Sequence, residues 1–288
     1  MQALASHSVG SRRRIAFALR QQPAMYIGIA VLAALALIAI FAPAIAPYNP
    51  LDINPLARMK PPSAAHIFGT DALGRDIFSR VMWGARVSLV VGIAVAVLSV
   101  ALGVAIGMLA GYFSRLDMVI MRVMDGLMAI PNILLAIALM AVFRGGLLTV
   151  IAAIVIPEVP RVVRLVRALV LSIRNQPYVE AAHALGTRTH KILAMHILPN
   201  LFAPLMVQAT FIAASAIITE AVLSFLGVGI PPQTPSWGNI MADGRNFLSI
   251  AFHIILFPGL FLAMTVLAVN MLGDGLRDML DPKLAKKI

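Results

Sequence analysis

Long apolar runs separated by short charged or proline-rich pieces set the pattern of this chain. From Gln21 to Leu51 there is no Asp, Glu, Lys or Arg. That run predicts a first membrane span at about 25–46, since a spanning helix needs about 20 apolar residues. An Ala44-x-Ala46 pair could mark a cleavage site. The run is too long for a signal peptide, whose apolar region is about 7–15 residues, so a retained span is expected. A second span is predicted at about 87–111, a third at 118–143 with Asp125 near its start and Pro131 inside, and a fourth at 146–163. The fifth falls at about 201–226 and the sixth at 252–272. The expected fold class is therefore all-α, with six transmembrane helices.

The fourth span is the weakest, because only a short apolar run separates Arg144 from Glu158, and Arg161, Arg164 and Arg167 come soon after. At 1.5 Å per residue Arg161 would lie roughly 22 Å from Gly146, close to the far interface. Pro157 and Pro160 are expected to kink this helix. Gly103, Gly107 and Gly111 have the small-xxx-small spacing that lets helices approach closely in lipid. Six spans with both termini cytoplasmic place sixteen of the 23 Lys and Arg inside and seven outside. Omitting the fourth span and inverting the chain gives the same split. It would, however, put Arg12, Arg13 and Arg14 outside, next to the span that usually dominates orientation. The first solution is preferred.

Between the spans, residues 1–24 form a basic N-terminal segment, and 47–86 a proline-rich segment expected to be rigid and extended. Residues 228–250 form a second polar segment, and 273–288 a charged tail. The stretch 175–200 carries both charge signs, a central glycine and a terminal proline. Pro177 suits a first helical turn and Glu180 complements the positive helix end. Gly186 is placed as a left-handed stop, and Thr187 as a cap for a second helix. From Arg188 to Ile197 the pattern puts Ile192, Leu193, His196 and Ile197 on one side of a short amphipathic helix, with Pro199 and Pro204 breaking it from the next span. Such a helix either docks a partner or simply lies along the membrane surface.

Composition narrows the class. Of 288 residues 60% are hydrophobic, mean hydropathy is +0.92 and only 12% are charged, against about 25% in soluble domains. The net charge of +11 fits cytoplasmic loops facing anionic lipid better than nucleic-acid binding. No cysteine is present, which excludes disulfides and thiolate metal sites. No G-x-x-x-x-G-K-[ST] phosphate loop, H-E-x-x-H pair or G-x-S-x-G elbow occurs, so neither a nucleotide cofactor, a metal nor a catalytic residue is expected in this chain. Ionisable groups inside spans are costly unless they face protein or water. Asp125, Glu158 and Glu220 are therefore candidate pathway or gating residues, or caps at span ends. A secondary transporter would show paired half-helices in two repeats, and no such duplication is visible.

Glu180-Ala-Ala-x-x-x-Gly186 with Leu198-Pro199 downstream resembles the EAA loop of binding-protein-dependent ABC importer permeases. The stretches His66 to Arg80, Gly84 to Leu89, Ala46 to Pro50, Leu223 to Gly227, Pro232 to Gly238 and Leu272 to Asp278 resemble the second permease subunit of dipeptide, oligopeptide and nickel importers. The resemblance implies a type I ABC importer permease fold, with a five-helix permease core over 87–272 and a coupling loop at 175–200. It also implies a homologous permease partner, two ATPase subunits that bind ATP and Mg, an extracytoplasmic binding protein contacting 47–85 and 228–250, and a bacterial cytoplasmic membrane location. Short peptides are the expected cargo, with nickel chelates, glutathione or another small solute as alternatives. By the same resemblance Glu180, Ala181, Ala182, Gly186, Thr187, Arg188, Ile192, His196, Leu198 and Pro199 contact or position the ATPases. His196 departs from the usual isoleucine of that pattern, and Glu158 stands where a neutral residue is expected.

Overall fold

The computed structural model describes residues 23–143 and 145–280. The basic segment up to Arg20, Arg144 and the last eight residues of the expected tail lie outside the described residues. Among the described residues ten α-helices follow in order: α1 (Pro23–Ile45), α2 (Ile77–Tyr112), α3 (Ser114–Met128), α4 (Asn132–Val142), α5 (Leu147–Arg174), α6 (Pro177–Ala184), α7 (Thr189–Ile192), α8 (Leu198–Phe225), α9 (Trp237–Gly244) and α10 (His253–Leu280). A π turn, Leu193–Ile197, joins α7 to α8.

Four stretches are long and apolar enough to cross a membrane: α1, α2, Thr189–Phe225 and α10. The third expected span, 118–143, is not one helix. It is broken into α3 and α4, whose axes differ by 88°. Pro131 occupies the N-cap of α4. Its ring disfavours helical geometry at Ile130 and it has no N–H to continue the helix, so the chain turns there. The fourth expected span lies within α5, a continuous helix of 28 residues that runs through both Pro157 and Pro160. Its mid-helix charges set it apart from the four apolar stretches.

Helix ends differ from the hydropathy pattern for local reasons. α2 starts ten residues before the expected 87, because the Asp76 carboxylate caps it by accepting from the Ser79 N–H at 2.7 Å. α10 continues past the expected end at 272 to Leu280. Gly273 packs on Thr210 of α8 and Gly275 on Met25 of α1, so the start of the expected tail is part of the bundle. The 47–86 segment is not extended. It folds back on itself through Asn54 N–H to Leu73 O (3.2 Å), Met59 N–H to Asp71 O (3.0 Å) and Thr70 N–H to Lys60 O (3.0 Å).

The most extensive helix packing is between α2 and α5, which run parallel. Methyl groups added at Gly103, Gly107 and Gly111 would lie 2.4, 2.7 and 2.7 Å from Val162, Val166 and Val170 in turn. Each glycine is thus the floor of a notch filled by one valine. The small-residue spacing read from the sequence finds its neighbour within this chain. Lipid tails are as apolar as valine, so the gain is dispersion rather than dehydration. Each atom pair contributes only about 0.1–0.2 kcal/mol, and fit over many pairs decides the outcome. The Arg174 guanidinium donates to the Gly111 carbonyl at 3.0 Å and closes the end of the seam.

A valine at Gly107 should overpack this seam and destabilise the bundle by roughly 1–3 kcal/mol. An alanine at Gly126, where nothing lies within 4 Å, should change little. Thermal unfolding midpoints of the two purified variants in detergent check the contrast.

Candidate functional site

The 175–200 loop forms one end of the bundle. Pro177 stands in the first turn of α6, and Glu180 lies within that turn, as the sequence suggests. The helix ends at a glycine in the left-handed region, Gly186 at φ 77°. Thr187 N–H donates to Ala182 O and Gly186 N–H to His183 O, both at 3.0 Å. That pair of bonds is a Schellman stop, which only glycine enters at little cost. Thr187 does not cap the next helix. The N-cap is Arg188, with no side-chain bond to the helix.

The face predicted for Arg188–Ile197 is present. Ile192 and Ile197 are fully buried, while Leu193 and His196 are half-buried. The His196 ring meets Tyr178 of α6 edge-on at 6.4 Å. Asn200 donates to the His196 carbonyl at 2.7 Å and to the Tyr178 hydroxyl at 3.4 Å. His196 therefore faces the loop's own first helix. Glu180, Ala181, Gly186, Arg188, Leu198 and Pro199 are exposed, and Ala182 is half-buried. Leu185 and Met195, 86% and 69% exposed, add an apolar surface beside them. The expected breaks at Pro199 and Pro204 do not occur. Pro199 is in the first turn of α8, where a missing N–H is tolerated, and Pro204 lies inside the same helix. The wider π turn before them carries the helical path from Thr189 to Phe225.

The three candidate carboxylates separate. Asp125 is exposed on α3 and accepts from Arg164 at 2.6 Å. Glu220 is wholly buried and accepts from Ser224 at 2.8 Å and Ser88 at 3.5 Å, tying α8 to α2. Glu158 is 3% exposed and accepts from Arg161 (3.1 Å), Ser215 (3.3 Å) and Asn132 (3.5 Å), so it joins α4, α5 and α8. Together with the Arg167–Asp117 pair, each arginine of the 161–164–167 series meets one carboxylate.

A further set of charges at the opposite end, partly within the His66–Arg80 stretch, is not among the candidate site residues. Arg75 and Arg80 share the Asp71 Oδ2 at 2.6 and 2.5 Å, and share the Asp243 Oδ2 at 2.7 and 2.8 Å. Arg80 and Asp71 are fully buried. This ring ties the 47–76 segment and α2 to α9 across 168 residues of chain. Trp237 is buried beside it and donates from Nε1 to the Val81 carbonyl at 3.1 Å. Asp71 and Arg75 pair across a turn rather than along a helix, so neither their spacing nor Asp243 signals the ring in the sequence. The 47–76 and 228–250 segments thus form one cap.

Comparison with known proteins gives a consistent picture. Residues 103–286 match the family described as binding-protein-dependent transport system inner membrane component. Residues 12–62 match the N-terminal TM domain of oligopeptide transport permease C. A probable peptide ABC transporter permease of Sinorhizobium fredii is 53% identical over 92% of this chain and 90% of its own length. The dipeptide transport system permease DppC of Alkalihalophilus pseudofirmus is 43% identical over 92% and 88%. The oligopeptide transport system permease OppC of Bacillus subtilis is 42% identical over 90% and 86%. In fold, a chain of the inward-facing MetNI methionine ABC transporter superposes with a TM-score of 0.61 at 17% identity, covering 71% of this chain and 98% of that one.

The charged ring makes a stability prediction. Asp71→Leu would leave two buried guanidiniums on the partly exposed Asp243 and should cost roughly 3–5 kcal/mol, as for breaking a buried pair. Asp52→Leu, at an exposed position outside the spans, should change stability by no more than about 0.5 kcal/mol. Thermal unfolding of both variants in detergent checks the ranking.

Proposed function

Because this chain belongs to the family of binding-protein-dependent transport system inner membrane components, with peptide and dipeptide ABC transporter permeases among its relatives, we propose that it is one of two homologous permease subunits that form a pathway for short peptides across the bacterial cytoplasmic membrane. Two separate ATPase subunits supply the energy, and an extracytoplasmic binding protein delivers cargo to the cap formed by 47–76 and 228–250. The chain itself holds no nucleotide; ATP and Mg belong to the ATPases. The bundle contributes six membrane crossings, counting α3–α4 as one and α5 as another, with the 175–200 loop and both termini cytoplasmic.

One observation carries the coupling role. The helical path from Thr189 to Phe225 is continuous, so the exposed loop is the end of a spanning helix rather than an appendage to it. α6 and the α7–π turn form a two-helix knuckle, closed internally by Val179, Ile192 and Ile197, which are buried. Glu180, Ala181, Ala182, Gly186, Arg188, Leu198 and Pro199 present its outer surface to an ATPase cleft, and Thr187, Ile192 and His196 hold its shape. Closure of the ATPases moves the knuckle and α8 together, and alternating access results from tilting of rigid helices. Asp125 and Glu158 act as counter-ions and Glu220 as a helix tie around that moving part.

Reconstituting the full assembly in proteoliposomes with its binding protein tests the reading. Peptide uptake and binding-protein-stimulated ATP hydrolysis should both depend on this chain. Gly186→Asp, which places a side chain at φ 77°, and Glu180→Lys, which reverses charge at a helix start, should abolish uptake while the chain stays inserted. Normal uptake by an inserted Gly186→Asp assembly with its ATPases attached would overturn the coupling role. Peptide uptake by this chain alone, driven by a proton gradient, would overturn the ABC reading.

A further inference from the structure

The α2–α5 seam fixes the depth of Arg161. Gly103 receives Val162, so Arg161 is level with Leu102 of the parallel α2. No Asp, Glu, Lys or Arg lies between Arg86 and Arg115, a run about 42 Å long at 1.5 Å per residue. The hydrocarbon core is about 30 Å thick, or about 20 helical residues. Wherever that slab sits within the run, it covers Leu102, and therefore the level of Arg161. Distance along α5 alone places this residue close to the interface; the register with α2 puts it inside the slab.

At that depth the Arg161 side chain is 50% exposed on the surface of this chain. It does not extend along α5 toward the loop end. Its Nη1 reaches back one turn to Glu158 at 3.1 Å, the reverse of a snorkelling arginine that seeks headgroups. Glu158 is nearly buried and held by Ser215 and Asn132, so the guanidinium is pinned. Among the described residues Glu158 is its one charged partner. A guanidinium carries five donors in a planar fork, and one edge remains for a second carboxylate. A cation half-exposed to hydrocarbon would cost several kcal/mol. This face must therefore meet water or protein in the working assembly.

We propose that Arg161 lines the aqueous pathway and holds the free carboxylate of the peptide in transit, with Glu158 as the residue that positions it. The proposal rests on the reading of this chain as a peptide importer subunit and adds a chemical requirement to it: an anionic group on the cargo. Glu158 then has a purpose beyond tying helices together. It orients the cation and makes the site neutral when empty, so that the arriving carboxylate is held and then released.

The absence of cysteine in this chain makes the test direct. In the reconstituted assembly, Arg161→Cys is exposed to a hydrophilic cationic thiol reagent, with the unsubstituted assembly as the background. Labelling slowed by saturating dipeptide is expected. No labelling would overturn the proposal and mean that the partner permease covers this face. A second arm compares uptake of a dipeptide with that of its C-terminal amide, each normalised to measured occupancy of the binding protein. Arg161→Gln should lower uptake of the free acid about tenfold, the value of one charge-assisted contact, and leave the amide unchanged. Arg161→Lys should keep part of the preference. Equal loss for both peptides, or no loss for either, would overturn the carboxylate role. Failure of the unsubstituted assembly to import any peptide would instead sink the importer reading, while thiol labelling of the Arg161→Cys variant would still report whether the position is wet.

Discussion

The contact on which the rest of the molecule depends is the seam of three glycines and three valines between α2 and α5. It leaves room for nothing but the valine side chains between the two backbones and so fixes both their separation and their register. Because the register is fixed, the depth of every charge on α5 is fixed too. Glu158 is brought within reach of Ser215 on α8 and Asn132 on α4. Arg164 and Arg167 reach carboxylates on α3. A helix with these charges in its middle could not sit alone in hydrocarbon. Packed against an apolar neighbour and supplied with carboxylates from the surrounding helices, it can.

The two ends of the bundle solve opposite problems. At the cap end, chain segments distant in sequence are joined by buried charges. Two guanidiniums and two carboxylates share single oxygen atoms, and Arg80 keeps Nε and Nη2 without a partner among the described residues. Such a ring is costly to bury, and whether it stabilises the fold overall is secondary to what it specifies. It allows one arrangement of α2, α9 and the 47–76 segment and penalises others. At the loop end the joints are apolar and local: Val179, Ile192 and Ile197 are buried between short helices whose outer surfaces stay exposed. A cap that must not rearrange uses directional bonds. The knuckle at this end has a small core and a bare exterior.

Much of this is legible in the sequence, and the exceptions have physical reasons. Charge-free runs locate the apolar middles of α1, α2, α8 and α10, because the cost of charge in lipid is large and local. They do not locate helix ends, because a helix can leave the membrane and continue; Asp76 and the Gly273–Thr210 contact decide those ends. Proline is an unreliable guide. Pro131 stops a helix, while Pro157, Pro160 and Pro204 lie within helices and Pro199 sits in a first turn. The outcome depends on whether neighbours absorb the missing bond. The stop at Gly186 is readable, since helix formers end there at a glycine. Asp243 is not, since nothing in sequence links it to Arg80 across 163 residues.

The π turn at Leu193–Ile197 has a rotational meaning. A π turn accommodates one residue more than the α-helical turn it replaces. Each residue of an α-helix advances the azimuth by about 100°. The exposed face of the loop is thereby offset by about that angle from where an uninterrupted helix would carry it relative to α8. The chemistry of the loop surface and its compass bearing on the spanning helix are set separately, the first by side chains and the second by a single extra residue in the backbone.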